Sequence, residues 1–536
     1  MALQRRLAAA LLALCGSAAA ALPTTLHVAP HGSDSAPGTA DAPLATCAAA
    51  VAQLQARTGS AVTIRFAPGT HALNSSTACG TVRWNGTAAA PLVFAGDPTG
   101  GTVFDAMELL DATQLAPVTE ARITKIINPS ARGKLLVMPM AAAPSMLEWG
   151  SRPLFQSVYP NPQVGTGVAY VRKVLDKGAY YFRGRSAWPE PHCHVCLGDN
   201  KSTLAHPCGA NISLAEQPTG DWTAEMAAGP GFGALTVQGY LANDWFDETH
   251  RVARVEQNAT NTSLQFASYS AYGICEAMEG GTGVLLDHCG GPAPGRFTVS
   301  GLLSEVDTEG EFWFDTAAHK LYIFPPAPSG GGSWTPAALA KARLGHWSGP
   351  GLISIEGSSH VTLRDVTVSG VGGGTIASIS GGEHNTIGGC TLRNSAGTGA
   401  SMSGGHHNAI IGNDIYDLAQ THIATSGDGD ESFQTLAATN NLVANNHLTQ
   451  VYLRGKWSVK LGGMGDRFSR NLVHDAPGQL LLPGGPLTQI DHNVRTQDLV
   501  RLPSMFICAS TVVLTSVLCL RCRLALCLHF RSEGST

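Results

Sequence analysis

From residue 363 onward, apolar and polar positions recur at a spacing too long for a helix or a single hairpin. An apolar residue is followed three places later by Asn in Ile410/Asn413, Val443/Asn446, Phe468/Asn471 and Ile490/Asn493. Two earlier rungs keep the apolar start and replace the Asn: Ile387/Cys390 and Leu363/Val366. Starts at 363, 387, 410, 443, 468 and 490 lie 24, 23, 33, 25 and 22 positions apart. A repeat of this length cannot bury its own apolar face and must stack on its neighbours, which is the signature of a solenoid. Most rungs carry a second apolar residue five places after the start: Val368, Leu392, Ile415, Leu448 and Val473. Segments such as Asn385-Thr386-Ile387-Gly388-Gly389-Cys390-Thr391-Leu392 read as short strands between tight turns. Gly-Gly pairs and Asn disfavour a helix there. Asn tolerates the left-handed backbone of a sharp turn, and stacked copies can pass amide hydrogen bonds from coil to coil. The pattern predicts an all-β, right-handed parallel β-helix with coils of about 22–25 residues, stacked about 4.8 Å apart. A leucine-rich repeat also uses turn asparagines, but these rungs lack its regular leucine spacing.

Elsewhere the period is absent. Leu26-His27-Val28 and Val62–Phe66 read as strands, and the Ala-rich residues 44–57 read as a short helix. That helix can cap the open end of the solenoid, where unpaired strand edges invite association. The expected organisation is a signal peptide at 1–21, the N-terminal cap and first coils at 22–134, and a β-rich insertion at 135–345. Regular coils follow at 346–495, then an atypical hydrophobic, Cys-rich tail at 496–536. The apolar run at 505–520 is slightly short for a membrane span. It reads as translated non-coding sequence, a tail anchor or a genuine end cap.

Composition narrows the class. Charged residues are only 14 % and Gly numbers 62, which favours a turn-rich β protein. A net charge of −5 offers no basic footprint for nucleic acid. Arg5 and Arg6, an apolar run at 7–14 and Ala18-Ala19-Ala20 form a secretory signal pattern. Six Asn-x-Ser/Thr sequons, at Asn74, Asn85, Asn200, Asn211, Asn258 and Asn261, agree with a secreted or extracellular protein. Cys47, Cys79, Cys193, Cys196, Cys208, Cys275 and Cys289 can then supply disulfides, whereas Cys390 occupies an Asn-ladder position and reads as a buried thiol. His192, Cys193, His194, Cys196, His206 and Cys208 offer zinc ligands as the less favoured alternative.

Several segments resemble secreted right-handed β-helix proteins of the pectin-lyase-like superfamily. The opening Leu26-His27-Val28-Ala29-Pro30-His31-Gly32-Ser33-Asp34, with Pro43-Leu44-Ala45-Thr46 behind it, is similar to their first motif. Trp149-Gly150-Ser151-Arg152, Tyr159-Pro160-Asn161, Gly239-Tyr240-Leu241-Ala242-Asn243-Asp244-Trp245 and Leu303-Ser304-Glu305-Val306-Asp307 resemble motifs of their inserted region. So does Gly310-Glu311-Phe312-Trp313-Phe314-Asp315. Asn471-Leu472-Val473-His474-Asp475-Ala476-Pro477 resembles the most recognisable signature of the coils. The resemblance spans roughly residues 24–494 and implies carbohydrate-active relatives, mainly glycoside hydrolases, with lyases and epimerases elsewhere in the superfamily. Two departures stand out. Gly478 occupies a place where the signature carries His, and the tail begins where further coils with another acidic motif are expected.

Residues seven places after each rung start form a polar column: Gly370, Asn394, Asp417, Gln450, Asp475 and Gln497. Asp417 and Asp475 fall two coils apart, about 9–10 Å at ordinary strand spacing. Inverting glycosidases hold their carboxyl pair about 6.5–9.5 Å apart, leaving room for water. Asp475 and Asp417 are therefore the expected acid/base pair. His474 is expected to shuttle a proton or orient a substrate hydroxyl, and Asp428 and Asp430 of the long coil to form a substrate rim or a third acidic contribution. His422, Gln450, Asn394 and Asp491 are expected to contact substrate. The expected function is hydrolysis of an extracellular or cell-wall polysaccharide or oligosaccharide without a cofactor or metal. A polysaccharide lyase or uronate epimerase, with Ca²⁺ if a lyase, is the alternative, and a non-catalytic glycan-binding solenoid a third. Membrane association enters only if the tail is an anchor.

Overall fold

The computed structural model describes residues 24–496 except 58, 151, 162–166, 177–180, 183–184, 187–208, 230, 233, 243–246, 269, 271–272, 276–294, 329–330, 428–437, 452–456, 477–478 and 484–486, together with the backbone of 513–519. The Asn periodicity becomes a parallel β-helix with three walls. On the first wall, Val361–Arg364, Thr386–Gly388, Ala409–Ile411, Leu442–Ala444, Arg467–Ser469 and Gln489–Thr496 pair in parallel, each with the next coil. On the second, Thr367–Ser369, Thr391–Ser395, Asp414–Leu418, His447–Val451 and Leu472–His474 do the same. Ile353–Glu356, Thr375–Ser380, Thr398–Ser403, Ile423–Ser426, Trp457–Leu461 and Gln479–Pro483 form the third. Rung residues Leu363, Ile387, Ile410, Val443 and Phe468 are buried in one core that runs the length of the coil.

Each regular coil turns at left-handed corners five residues apart. His384, Gly389 and Asn394 have positive φ in one coil, and His407, Gly412 and Asp417 in the next. Asn440, Asn445 and Gln450 continue the columns, as do Gly465, Arg470 and Asp475. A left-handed residue other than Gly costs roughly 1–2 kcal/mol, least for Asn and Asp. The corners are polar for that reason before any question of chemistry arises.

Behind two of these corners run asparagine ladders. Asn413 donates both its backbone N–H and its amide to Asn446 Oδ1, each at 3.0 Å. Asn446 repeats this with Asn471, and Asn471 with Asn493. Cys390 heads the ladder as a buried free thiol, its N–H donating to Asn413 Oδ1 at 2.9 Å. A second ladder lies two residues before each rung start. The backbone N–H groups of Asn385, Asn408 and Asn441 donate to the side chains of Asn408, Asn441 and Asp466. Both ladders are buried and satisfy backbone groups that the turns leave open.

At the N-terminal end, Asp34 accepts from the N–H groups of Ala45 and Thr46, and Thr46 caps the helix Cys47–Ala52 through Ala49. The opening motif is thus a device that seats the helix over the coil. A disulfide between Cys47 and Cys79 ties it down, and Cys47, Ala50 and Leu54 join the coil core.

The excursion from the coil begins earlier than the loss of periodicity suggests. Met107–Leu110 already pairs with Leu344–Trp347 outside the helix, not with a coil. Leu92–Ala95 pairs with Val361–Arg364, so the coil resumes in register on the far side of the insert. Among the described residues the insert is mostly antiparallel, in an eight-stranded and a seven-stranded sheet with a small two-stranded hairpin beside them in sequence. Val513–Cys519 pairs in parallel with Gln489–Thr496. Among the described residues no helix is long and apolar enough to cross a membrane.

The insert buries several carboxyl groups. Glu305 accepts from Trp222 Nε1 at 2.6 Å. Burial, with Asp307 and Glu225 adding like charge, pushes its pKa up to about 7. Between the ordinary glutamate range and that value, the folded chain holds a proton the unfolded chain has released. The contribution is therefore complete below about pH 4.3 and is lost as pH rises through 7. Glu305→Gln keeps the acceptor for Trp222 and cannot ionise. Denaturation at pH 4.5 is expected to show little change, and at pH 8.5 a gain on the order of 3 kcal/mol over the parent chain. An equal change at both pH values would contradict this.

Candidate active site

On the second wall, alternate side chains enter the core and alternate ones face out. Ile415, Leu448 and Val473 point inward and are buried. The neighbouring outward positions align from coil to coil. Asp414 lies beside His447, and His447 beside Leu472. Arg393 lies beside Tyr416, Tyr416 beside Thr449, and Thr449 beside His474.

Four of these groups form a continuous polar chain. Asp414 Oδ1 meets His447 Nδ1 at 3.2 Å, and His447 Nε2 meets His474 Nε2 at 2.7 Å. His474 Nδ1 then meets Asp475 Oδ2 at 2.7 Å, with Thr449 Oγ1 at 3.2 Å from the same nitrogen. The ring planes lie 26° apart with their centroids 4.9 Å apart, so the imidazoles meet edge to edge through Nε2. Two neutral imidazoles that both donate to carboxylates from Nδ1 would set two lone pairs against each other at Nε2. The close Nε2 contact therefore needs one shared proton between the rings. The arrangement is a wire along which one proton can pass between two carboxylates. Both ends are open: the side chains of Asp414 and Asp475 are 57 % and 43 % exposed, enough to meet a ligand.

The structure brings some expected site residues together and separates others. Asp475 and His474 are in contact. Asp417 and Gln450 occupy the same left-handed corner column as Asp475 on the two preceding coils, with Gln450 exposed. Three positions are corrected. Asn394 is buried, and its amide donates to Glu148 of the insert at 2.9 Å, so it serves docking of the insert and does not face an open groove. His422 is fully buried, with Nε2 on the Thr449 carbonyl at 2.8 Å, and burial pushes its pKa down to about 4. It is a neutral brace behind Thr449 and cannot touch substrate. Asp491 belongs to the first wall, buried in an ion pair with Arg467 at 2.6 Å. Asp428 and Asp430 lie outside the described residues, as do Gln497 and the zinc alternative at 192–208.

Sequence reasoning missed Asp414, His447 and Arg393. Their signal was the columns four and six places after each rung start, which hold the outward residues of this wall. Among the described residues, no group of three or more His, Cys, Asp or Glu side chains is arranged to hold a metal ion.

Residues 351–475 match the family described as a right handed beta helix region. No curated protein sequence matches the chain. A solved structure described as a glycoside hydrolase is 12 % identical, with 88 % of this chain and 87 % of that one aligned at a TM-score of 0.58. A structure of XylC with xylose, also 12 % identical, covers 88 % of this chain and 65 % of that one, at a TM-score of 0.31. At such identities only the first likeness bears on this chain, and it concerns the fold. The solenoid is a right-handed parallel β-helix.

Proposed function

We propose that the chain is a secreted glycoside hydrolase acting on an extracellular or cell-wall polysaccharide through the outer face of the second wall. The observation that carries this is the chain Asp414–His447–His474–Asp475, an open carboxylate–imidazole array on a fold suited to long ligands. A neighbour of like architecture is described as a glycoside hydrolase, which supports the reading without supplying a substrate. Asp475 and Asp417 are the paired carboxyls, two coils or roughly 9–10 Å apart. One gives a proton to the leaving glycosidic oxygen while the other takes a proton from the attacking water, with inversion at the sugar carbon. The imidazole wire resets the protonation of Asp475 between turnovers. Secretion is supported by the Cys47–Cys79 disulfide and by exposed sequon residues Asn74, Asn85 and Asn258.

The test is expression of the full chain in a glycosylating host, with the medium protein assayed on a panel of neutral and acidic polysaccharides. New reducing ends without ultraviolet-absorbing unsaturated product support hydrolysis. Unsaturated product would establish a lyase instead. Binding without either product, or no protein in the medium, would remove the corresponding half of the proposal.

A further inference from the structure

Among the described side chains of this wall, Arg393 carries a charge that the fold leaves unanswered. It is half-buried on Thr391–Ser395, three coils before His474 in the same outward column. Its Nη1 donates to Tyr416 Oη at 3.4 Å, a long contact with a neutral group. Its Nε is buried and has no acceptor. Among the described residues no carboxylate forms an ion pair with it, because the nearby acids are engaged elsewhere. Asp105 binds Arg343, and Glu148 binds Arg343, Trp347 and Asn394. Asp414 faces His447.

A guanidinium carries five donors in a planar fork that matches the oxygens of a carboxylate or sulfate. A buried donor without an acceptor is costly, and a cation held partly out of water without a counter-ion more so. Arg393 lies roughly 14 Å from His474, three strand spacings along the wall. Tyr416, between them, offers a ring face for a sugar. A linear saccharide lying across the coils would place a unit on Arg393 while another sits at Asp475.

We propose that Arg393 is the anchor of a subsite for an anionic saccharide unit, with the guanidinium fork gripping its carboxylate or sulfate. This rests on the reading of the second wall as a glycan-binding face, and it adds the substrate class. It does not require that the glycan be cleaved.

The experiment is titration calorimetry of the full chain with three probes: an oligouronate, the same oligomer with its carboxyls reduced to the neutral hexose, and a sulfated neutral oligosaccharide. At least one anionic probe is expected to bind tenfold or more tightly than the reduced oligomer. The preferred probe identifies carboxylate or sulfate as the natural group. Arg393→Gln is expected to erase that preference while weak binding of the neutral oligomer persists. Arg393→Lys keeps the charge without the fork and should retain part of it. Equal affinity of the parent chain for charged and neutral probes would overturn the proposal, and so would a preference unchanged in folded Arg393→Gln. Reducing-end release is scored separately. Anionic preference without cleavage sinks the hydrolase and leaves this subsite standing, whereas cleavage of neutral glycans without that preference does the reverse.

Discussion

Asp475→Asn is expected to lower glycan cleavage by roughly 10²–10⁴-fold, the range that one positioned acid or base supplies, while the chain stays folded. The variant separates chemistry from structure unusually well at this position. Asp475 sits at φ 48°, where most side chains are strained, and Asn is the residue that best tolerates that backbone. Its amide oxygen can still accept from His474 Nδ1, so the contact now made at 2.7 Å need not be lost. What Asn cannot do is exchange a proton. Asp475→Ala is the contrasting variant. It loses the same chemistry and also forfeits the local tolerance of the left-handed corner, about 1 kcal/mol or more. Circular dichroism and thermal unfolding of Asp475→Asn should overlay the parent, with reducing-end release nearly gone. Full activity in the folded variant would take Asp475 out of the mechanism and end the carboxyl-pair proposal.

The corner geometry also explains what the sequence could and could not disclose. The ladder Asn413, Asn446, Asn471 and Asn493 was legible because Asn is rare as a buried residue and its spacing repeats. The second ladder was equally present in the letters at Asn385, Asn408 and Asn441, each two places before an apolar rung start, but it ends in Asp466, so the Asn repeat is one rung shorter. As letters, the polar column of Gly370, Asn394, Asp417, Gln450 and Asp475 suggests chemistry. It is first a column of positive φ, and membership does not distinguish a catalytic Asp from a turn Asp. Contacts do separate covered corners from open ones. Asn394 is covered by the insert, and Asp475 stands open beside His474. No periodicity can report either fact, because the covering strand comes from residues 147–149, far away in sequence.

The same limit accounts for His422 and for the insert. His422 reads like any polar residue near a turn, yet its ring fills the corner under Thr449, and only the stacking of the next coil buries it. Met107–Leu110 continues the strand-and-turn rhythm of the first coils, so the departure from the helix leaves no mark until its partner Leu344–Trp347 is known. Coil register is a local property of the chain, repeated. Docking and burial are decided by segments that meet from a distance.

Replacing Asn446 with Leu is expected to be among the most destabilising single changes in the coil. Asn446 Oδ1 accepts from both the backbone N–H and the amide of Asn413 at 3.0 Å. Its own amide donates to the Ile410 carbonyl and to Asn471 Oδ1, each at 3.0 Å. The side chain is 1 % exposed, so water cannot replace those partners. Leu would leave the Asn413 N–H without its acceptor and take one partner each from the Ile410 carbonyl and from the Asn413 amide, which keeps the Ile387 carbonyl, whereas Asn471 Oδ1 keeps the backbone N–H of residue 446. At about 1–3 kcal/mol for a buried group that loses a partner, the loss is roughly 2–5 kcal/mol even after credit for the added apolar surface. A typical domain holds only about 5–15 kcal/mol in all. Asn446→Asp tests the direction of the ladder, since it keeps the acceptor for Asn413 but sets a carboxylate oxygen against Asn471 Oδ1 and the Ile410 carbonyl. It should also destabilise strongly at neutral pH and recover in part when acidified, because a protonated carboxyl regains one donor. Chemical denaturation at pH 7 and pH 4 reads both effects. A loss under 1 kcal/mol for Asn446→Leu would mean that stacking of apolar rungs alone holds the coils, and that the amide ladder contributes little.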